Sequence, residues 1–291
     1  MPNRGKLAIE RAASSSDKVV LAATFIAFFM LTSAYFVISY LIDEASAGSS
    51  IIETLAGVAD ALFGGFLLFV VFLLGGMFLI RMQRQTMLGN SLQVEYSDYA
   101  WLRNWTNEVS AELQLPRVEI FVTQDPYINA YAFGFAKPYC IVLNSGSIRY
   151  MTKDELKIVV VHEMAHIKYG HTLAYVYLQP FLAVPVIGIF TGWLAGFWQR
   201  RAELTADRLA LMYSAAPELV KESLIKVHVG PDVADAMNQV ARDWLQYTAE
   251  RPMNRLAQTF SAHPFLVRRL SHIDRYKHIV EPAQTERKES M

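Results

Sequence analysis

The sequence predicts a mainly helical α+β domain preceded by an N-terminal two-helix transmembrane hairpin. Three observations predict it: two long uncharged apolar runs near the N-terminus, a globular composition from about residue 82, and helical periodicity there interrupted by short strand-like runs. The hydrophobic fraction is 53% with a positive mean hydropathy, as for a membrane protein with a soluble part. Formal net charge is zero, which removes the electrostatic case for nucleic acid as a partner. The single cysteine, Cys140, excludes an intrachain disulfide and suits a reducing compartment. It lies in the apolar run 139–143 and reads as a buried strand residue rather than a nucleophile.

Taken in order, residues 1–18 are polar, carry Arg4, Lys6, Arg11 and Lys18, and read as an N-terminal tail. Residues 19–42 then run without a charge, enough at about 1.5 Å per residue to cross a bilayer core. The run is too long for a signal-peptide core. Asp43, Glu44, Glu53 and Asp60 follow without any Lys or Arg. A second uncharged run, 61–80, is closed by Arg81 and Arg84, so the spans are placed at about 19–42 and 59–80. Gly64, Gly65, Gly75 and Gly76 within it permit close helix packing. Basic residues flank both ends of this hairpin and only acids lie in its loop. The positive-inside rule therefore puts the N-terminus and everything after Arg81 in the cytoplasm.

The soluble part is placed at 81–280. Trp101, Leu102, Trp105, Val109 and Leu113 recur at helical spacing over 96–115, and Pro116 ends that helix. Residues 118–122 and 139–143 read as strands, with 129–133 strand-compatible between them. Thr152 and Glu155 form a capping-box pattern that opens a long helix. Residues 281–291 are polar and read as a disordered tail.

That long helix carries His162-Glu163-Met164-Ala165-His166. Histidines four apart lie about 40° from each other around a helix, so both imidazoles reach one ion. Glu163 adjoins them, placed to take a proton from a water on that ion; zinc lowers such a water's pKa toward about 7. The pattern arises by chance in roughly one such chain in a hundred, so a third ligand is needed to support it. His171 lies about 140° from His166 on a continuous helix and reads as a surface or packing residue. His228 stands alone. Glu203 is the preferred ligand, because Asp207, four residues on, can accept the free ring N–H of a ligand histidine.

His-Glu-Met-Ala-His followed by Glu-Leu-Thr-Ala-Asp at 203–207 resembles the HtpX-like metallopeptidases, a membrane-associated gluzincin family related to the CAAX prenyl endopeptidases. Asn129-Ala130-Tyr131-Ala132-Phe133 is similar to its edge-strand motif, and His263-Pro264 with Arg269 to its C-terminal motif. The resemblance covers roughly residues 90–275. It implies a zincin-like domain, endopeptidase activity, one Zn2+ per chain on His162, His166 and Glu203, and Glu163 as general base. It further implies that Asp207 orients a ligand histidine and that His263 and Arg269 stabilise the oxyanion. On the residues alone, Arg268 is as suitable as Arg269. Asn129, Ala130 and Tyr131 would bind an extended peptide along the sheet edge.

Residues 173–198 form a third apolar stretch. His166 and Glu203 must meet at one ion, and two full crossings do not fit between them. The expectation is a hairpin turning between Pro180 and Pro185, with the metal helix running on toward Pro180 and the tip dipping into the cytoplasmic leaflet. Trp193 and Trp198 would lie at the interface near its returning end. The alternative is a hairpin buried in the soluble domain.

The sequence thus predicts a zinc endopeptidase in a bacterial inner (plasma) membrane, with the catalytic domain cytoplasmic. It would cut membrane or misfolded proteins, with protein substrates and the lipid bilayer as partners, and the family resemblance further implies a quality-control role. Two readings compete: an intramembrane protease of the site-2 type, and a non-catalytic membrane scaffold with a structural metal site. Charged Lys153, Asp154, Glu155 and Lys157 ahead of the motif disfavour the first.

Overall fold

The computed structural model describes residues 4–44, 50–135, 137–182, 185–259, 261 and 263–280. The expected tail at 281–291 lies outside these. The segment expected as an N-terminal tail instead contains a docked helix, α1 (Arg4–Ala12). Gly5, Ala8 and Ala12 share one buried face, and a Cβ at Gly5 would overlap the Glu112 carbonyl. Tyr169 donates its hydroxyl to the Ile9 carbonyl at 3.0 Å, and the Arg4 guanidinium lies 4.8 Å from the centre of the Tyr213 ring. Small residues on one helix face permit this close approach, a property that polarity alone does not register.

Helices α2 (Ser15–Glu44) and α3 (Ile51–Gly89) pack together and are long and apolar enough to cross a membrane. They are not core helices: Phe63 is 68% exposed and Ile26 64%. Thr24 and Thr32 donate their hydroxyls to the carbonyls of Val20 and Phe28, which satisfies them within α2. Gly57 and Gly65 of α3 lie beneath the Tyr40 and Phe36 rings of α2. α3 starts earlier than the apolar run suggests, because Ser50 and Glu53 form a capping box, and it continues well past Arg81. Arg84 is buried there and donates to the Pro138 carbonyl at 2.7 Å.

Then come β1 (Leu92–Gln93), α4 (Ala100–Glu112), β2 (Val118–Thr123), β3 (Ala130–Phe133) and β4 (Tyr139–Asn144). The sheet order is β1-β2-β4-β3. β2 and β4 are parallel, with Ile120 opposite Ile141; β3 lies antiparallel on β4, with Tyr131 opposite Val142, and forms an edge. Cys140 is fully buried in β4. After α5 (Ser145–Tyr150), α6 (Lys153–Lys168) opens on a two-way cap: Glu155 N–H donates to the Thr152 hydroxyl at 3.2 Å and Thr152 N–H to the Glu155 carboxylate at 2.7 Å. Lys226 reaches the same carboxylate at 2.7 Å.

α6 does not run on toward Pro180. It ends before Gly170, whose φ of +73° breaks the helix, and α7 (His171–Leu182) starts in a new direction. α8 (Pro185–Ser214) packs back along α7. The chain closes with α9 (Pro217–Val229), α10 (Pro231–Asp235), α11 (Gln239–Ala249), α12 (Pro252–Thr259) and α13 (Leu266–Tyr276). One core joins α1, α4, the sheet, α6, α8, α9 and α13. A second cluster packs Phe28, Ala174, Leu178, Ala195, Trp198 and Ala202 against Phe25 and Phe69. Trp198 is therefore buried and not an interfacial residue; only Trp193 stays half exposed.

A buried clasp fixes the height of α2 against α8. Asp17 accepts from Arg201 Nε at 2.9 Å and from the Thr205 hydroxyl at 2.6 Å. Phe28 lies eleven residues further along α2, about 16 Å at helical rise. The α7–α8 pair thus lies beside the apolar part of α2 to that depth.

Candidate metal centre

Helix α6 presents His162, Glu163 and His166 to α8, and α8 returns Glu203 and Asp207. His162 Nε2 and His166 Nε2 are 3.2 Å apart, and the Glu203 carboxylate lies 3.5 Å from each. Three ligands about 2.0–2.1 Å from a tetrahedral ion stand about 3.3 Å from one another, so this triangle fits an N/N/O metal site. These three residues are also the candidate metal-binding group found among the described residues.

The next layer of side chains orients the ligands. His162 donates from Nδ1 to Asp207 Oδ1 at 3.0 Å, which turns Nε2 toward the ligand triangle. Asp207 is buried and also accepts a two-pronged contact from Arg269, at 2.8 and 2.5 Å. Burial pushes the Asp207 pKa up, but Arg269 and then His162 overcome this and hold it at about 2. The remaining Arg269 nitrogen lies 3.4 Å from Glu203. Burial opposes ionisation of Glu203 too, yet His162, His263 and Arg269 hold its pKa well below the usual carboxylate range. Without an ion, burial lowers the pKa of His162, while Asp207 and Glu203 raise it by more, to about 10. Burial takes His166 down to about 4.

Glu163 stands beside the triangle rather than in it. Burial raises its pKa to about 7, against the pull of His162 and, more weakly, of the Ala132 N–H of β3. That N–H belongs to the sheet edge, so the strand that could accept a peptide also holds Glu163. Asn129, Ala130 and Tyr131 line the same cavity, of approximately 1080 Å³. Asn129 donates from its amide to the Tyr131 hydroxyl at 3.0 Å, and its own side-chain oxygen accepts from the Ala130 N–H. Ile80, Gln83 and Met87 of α3 form another wall. His263 lies at the mouth, largely exposed, with Nδ1 3.6 Å from Glu203; that carboxylate raises its pKa.

The structure brings all the sequence-predicted residues to one cavity, but Arg269 faces Asp207 and Glu203 with its whole guanidinium. Arg268 is exposed. His171, read as a surface or packing residue, is buried, with its Nδ1 3.1 Å from His166 Nδ1 and its ring edge-on to Trp198. It is a packing residue outside the ligand triangle, but the break at Gly170 turns it toward His166, which counting around one continuous helix does not show. His228 lines the cavity and donates from Nδ1 to the Leu224 carbonyl at 2.9 Å.

The sequence matches Peptidase family M48 over residues 97–277. It is 30% identical over 214 residues to the plastoglobule-localized metallopeptidase 48, chloroplastic, of Arabidopsis thaliana, covering 67% of this chain and 62% of that protein. It is 34% identical over 88 residues to Protease HtpX of Pasteurella multocida, covering 30% of this chain and 31% of that protein. A crystal structure of S. mikatae Ste24p superposes with a TM-score of 0.48 at 18% identity, covering 77% of this chain and 65% of that one. The chain spans less than two thirds of the length of each of these relatives.

Proposed function

The chain belongs to peptidase family M48, and on that premise we propose that it is a membrane-anchored zinc endopeptidase that hydrolyses peptide bonds of membrane or misfolded proteins. The observation that carries this reading is the ligand triangle of His162, His166 and Glu203 with Glu163 beside it. A bound zinc ion would supply a Lewis acid that acidifies water and polarises the scissile carbonyl. His162 and His166 would hold it through Nε2, and Glu203 through its carboxylate.

Glu163 takes a proton from the attacking water and delivers it to the leaving amine. A pKa near 7 suits both transfers. The Ala132 N–H keeps its carboxylate aimed into the cavity. Asp207 fixes the ring orientation of His162, and Arg269 holds Asp207 and Glu203 in place. His263, exposed at the mouth, donates to the developing oxyanion. The substrate backbone adds as a strand to β3 at Asn129, Ala130 and Tyr131.

Helices α2 and α3 span the inner membrane of a bacterial cell, with the N-terminus and the catalytic domain in the cytoplasm, and the role is protein quality control. Height supports a site at the membrane surface over a site-2-type intramembrane one. Arg201 and Thr205, on either side of Glu203, bind Asp17, which precedes the last charge before the apolar run. The test is cleavage of casein and of a membrane protein by the full chain as wild type, as Glu163→Gln and after chelation. Equal cleavage by wild type and Glu163→Gln would defeat the protease reading and favour a scaffold with a structural metal.

A further inference from the structure

We propose that the outward face of α11 and α12, residues 240–256, rests in the headgroup–acyl boundary of the bilayer as a second, peripheral membrane contact; this rests on the reading of α2 and α3 as membrane spans.

The two helices follow α9 and precede the His263 loop. No residue of α11 is buried, and α12 buries only Gln258. On α11, Val240, Trp244 and Tyr247 follow i, i+4, i+7 and form one exposed stripe, with Val240 75% exposed. Leu245, Thr248 and Ala249 face the other way, into a hollow shared with His263. Helix α12 is partly inverted with respect to water. Two of its polar residues turn inward, Gln258 being buried and Asn254 donating from its amide to the Thr248 carbonyl at 2.6 Å, while Arg255 stays exposed. Its apolar residues turn outward: Met253 is 73% exposed, with Leu256 and Ala257 exposed beside it. A helix bordering water places these the other way round. Arg251 lies over both Trp244 and Tyr247, at 6.0 and 5.2 Å from the ring centres. An arginine over interfacial aromatics keeps its charge among headgroups while its stem covers apolar surface.

Height selects the bilayer as the occupant. The Asp17 clasp aligns the start of α2 with Arg201 of α8. From Arg201, α8 runs back beside α2 toward the second cluster, and Trp193 lies eight residues along it, about 12 Å deeper. The Ser261 carbonyl, just past α12, accepts from Arg200 and lies 3.2 Å from where a Gly196 Cβ would be. The end of α12 therefore meets α8 between the charged Arg200–Arg201 level and the exposed, stacked Trp193–Phe197 pair. On the reading of α2 as a membrane span, this contact puts the end of α12 at the level where the hydrocarbon begins.

The test uses the full chain in vesicles of phosphatidylcholine and phosphatidylglycerol. In a Cys140→Ala background, Met253→Cys, Leu256→Cys and Gln246→Cys are each labelled with an environment-sensitive fluorophore, and Phe29→Cys on the exposed side of α2 serves as the membrane control. The expected result is blue-shifted emission and several-fold quenching by shallow-doxyl lipid at 253 and 256, with neither at 246, which lies on the polar arc of α11. Quenching at 29 without quenching at 253 and 256 overturns this proposal and leaves the membrane anchor intact. No quenching at 29 by deep-doxyl lipid defeats the anchor reading and this proposal with it. A blue shift at 253 only when unfolded casein is added, without lipid quenching, assigns the face to substrate and likewise overturns it.

Discussion

The protonation of the ligand cluster yields a quantitative test of how an ion is held. Without an ion, His162 titrates at about 10 and His166 at about 4. An ion binds neutral imidazole. The sign follows: a group whose pKa is raised to about 10 is protonated at pH 8 and must release its proton, whereas His166 has none to give. Zinc binding at pH 8 should therefore release one proton from His162, in addition to any from the water the ion acidifies. Between about pH 4 and pH 10 this proton alone makes the apparent affinity rise tenfold, about 1.4 kcal/mol, for each pH unit gained. At pH 8 Glu163, at about 7, is already mainly ionised and contributes little. Isothermal titration of the metal-free full chain in buffers of different ionisation enthalpy measures the proton count directly. Asp207→Asn should lower both the count and the affinity, because Asp207 leads the interactions that raise the His162 pKa. Loss of such an outer partner costs about 10- to 100-fold in metal affinity. A count of zero, or no fall in the count in Asp207→Asn, would refute the assignment of Asp207 to His162.

Four further outcomes follow from the geometry. Glu163→Gln should retain zinc by elemental analysis and lose cleavage by about 100- to 10,000-fold, the usual range for a general base. Glu203→Ala should lose the ion, since two imidazoles alone leave the site short of the three protein ligands of a catalytic centre. His171→Ala frees His166 Nδ1 from its 3.1 Å partner and should weaken zinc binding by about tenfold or more. Asp17→Asn weakens the acceptor of Arg201 and Thr205 and should lower stability by about 1–3 kcal/mol, read from the denaturation midpoint.

What was legible in the sequence follows local rules. The Thr152–Glu155 cap, the α6 face carrying His162 and His166, the apolar runs and the three main strands all express periodicities of a few residues. Glu203 was reached because a metal requires a third ligand, and the same requirement demanded a chain reversal between His166 and Glu203. What was not legible depends on a break in that regularity or on distant partners. Gly170 re-aims His171 through a positive φ, so counting around one helix gives the wrong face. Arg269 is separated from Asp207 by 62 residues, and nothing local distinguishes it from Arg268. Trp198 has the composition of an interfacial residue, yet α2 and α7 enclose it. α1 escaped because Gly5, Ala8 and Ala12 pack by being small, while the charges around them suggest solvent.

The position of Asp17 ties these levels together. Arg201 and Thr205 flank Glu203 on α8, and both bind a residue in the first turn of α2. Displacing α2 along its axis would pull on the helix that supplies the third ligand. On its other side that helix is held by Asp207, through His162 and Arg269. Tyr169, at the end of α6, is bonded to α1, which lies against α8 as well. The two halves of the metal site are thus braced by the N-terminal segment that leads into the apolar hairpin. A soluble domain cut after that hairpin would lose α1, Asp17 and the α3 wall of the cavity together. The hairpin is therefore part of the framework that holds Glu203 opposite His162 and His166, in addition to any role as an anchor.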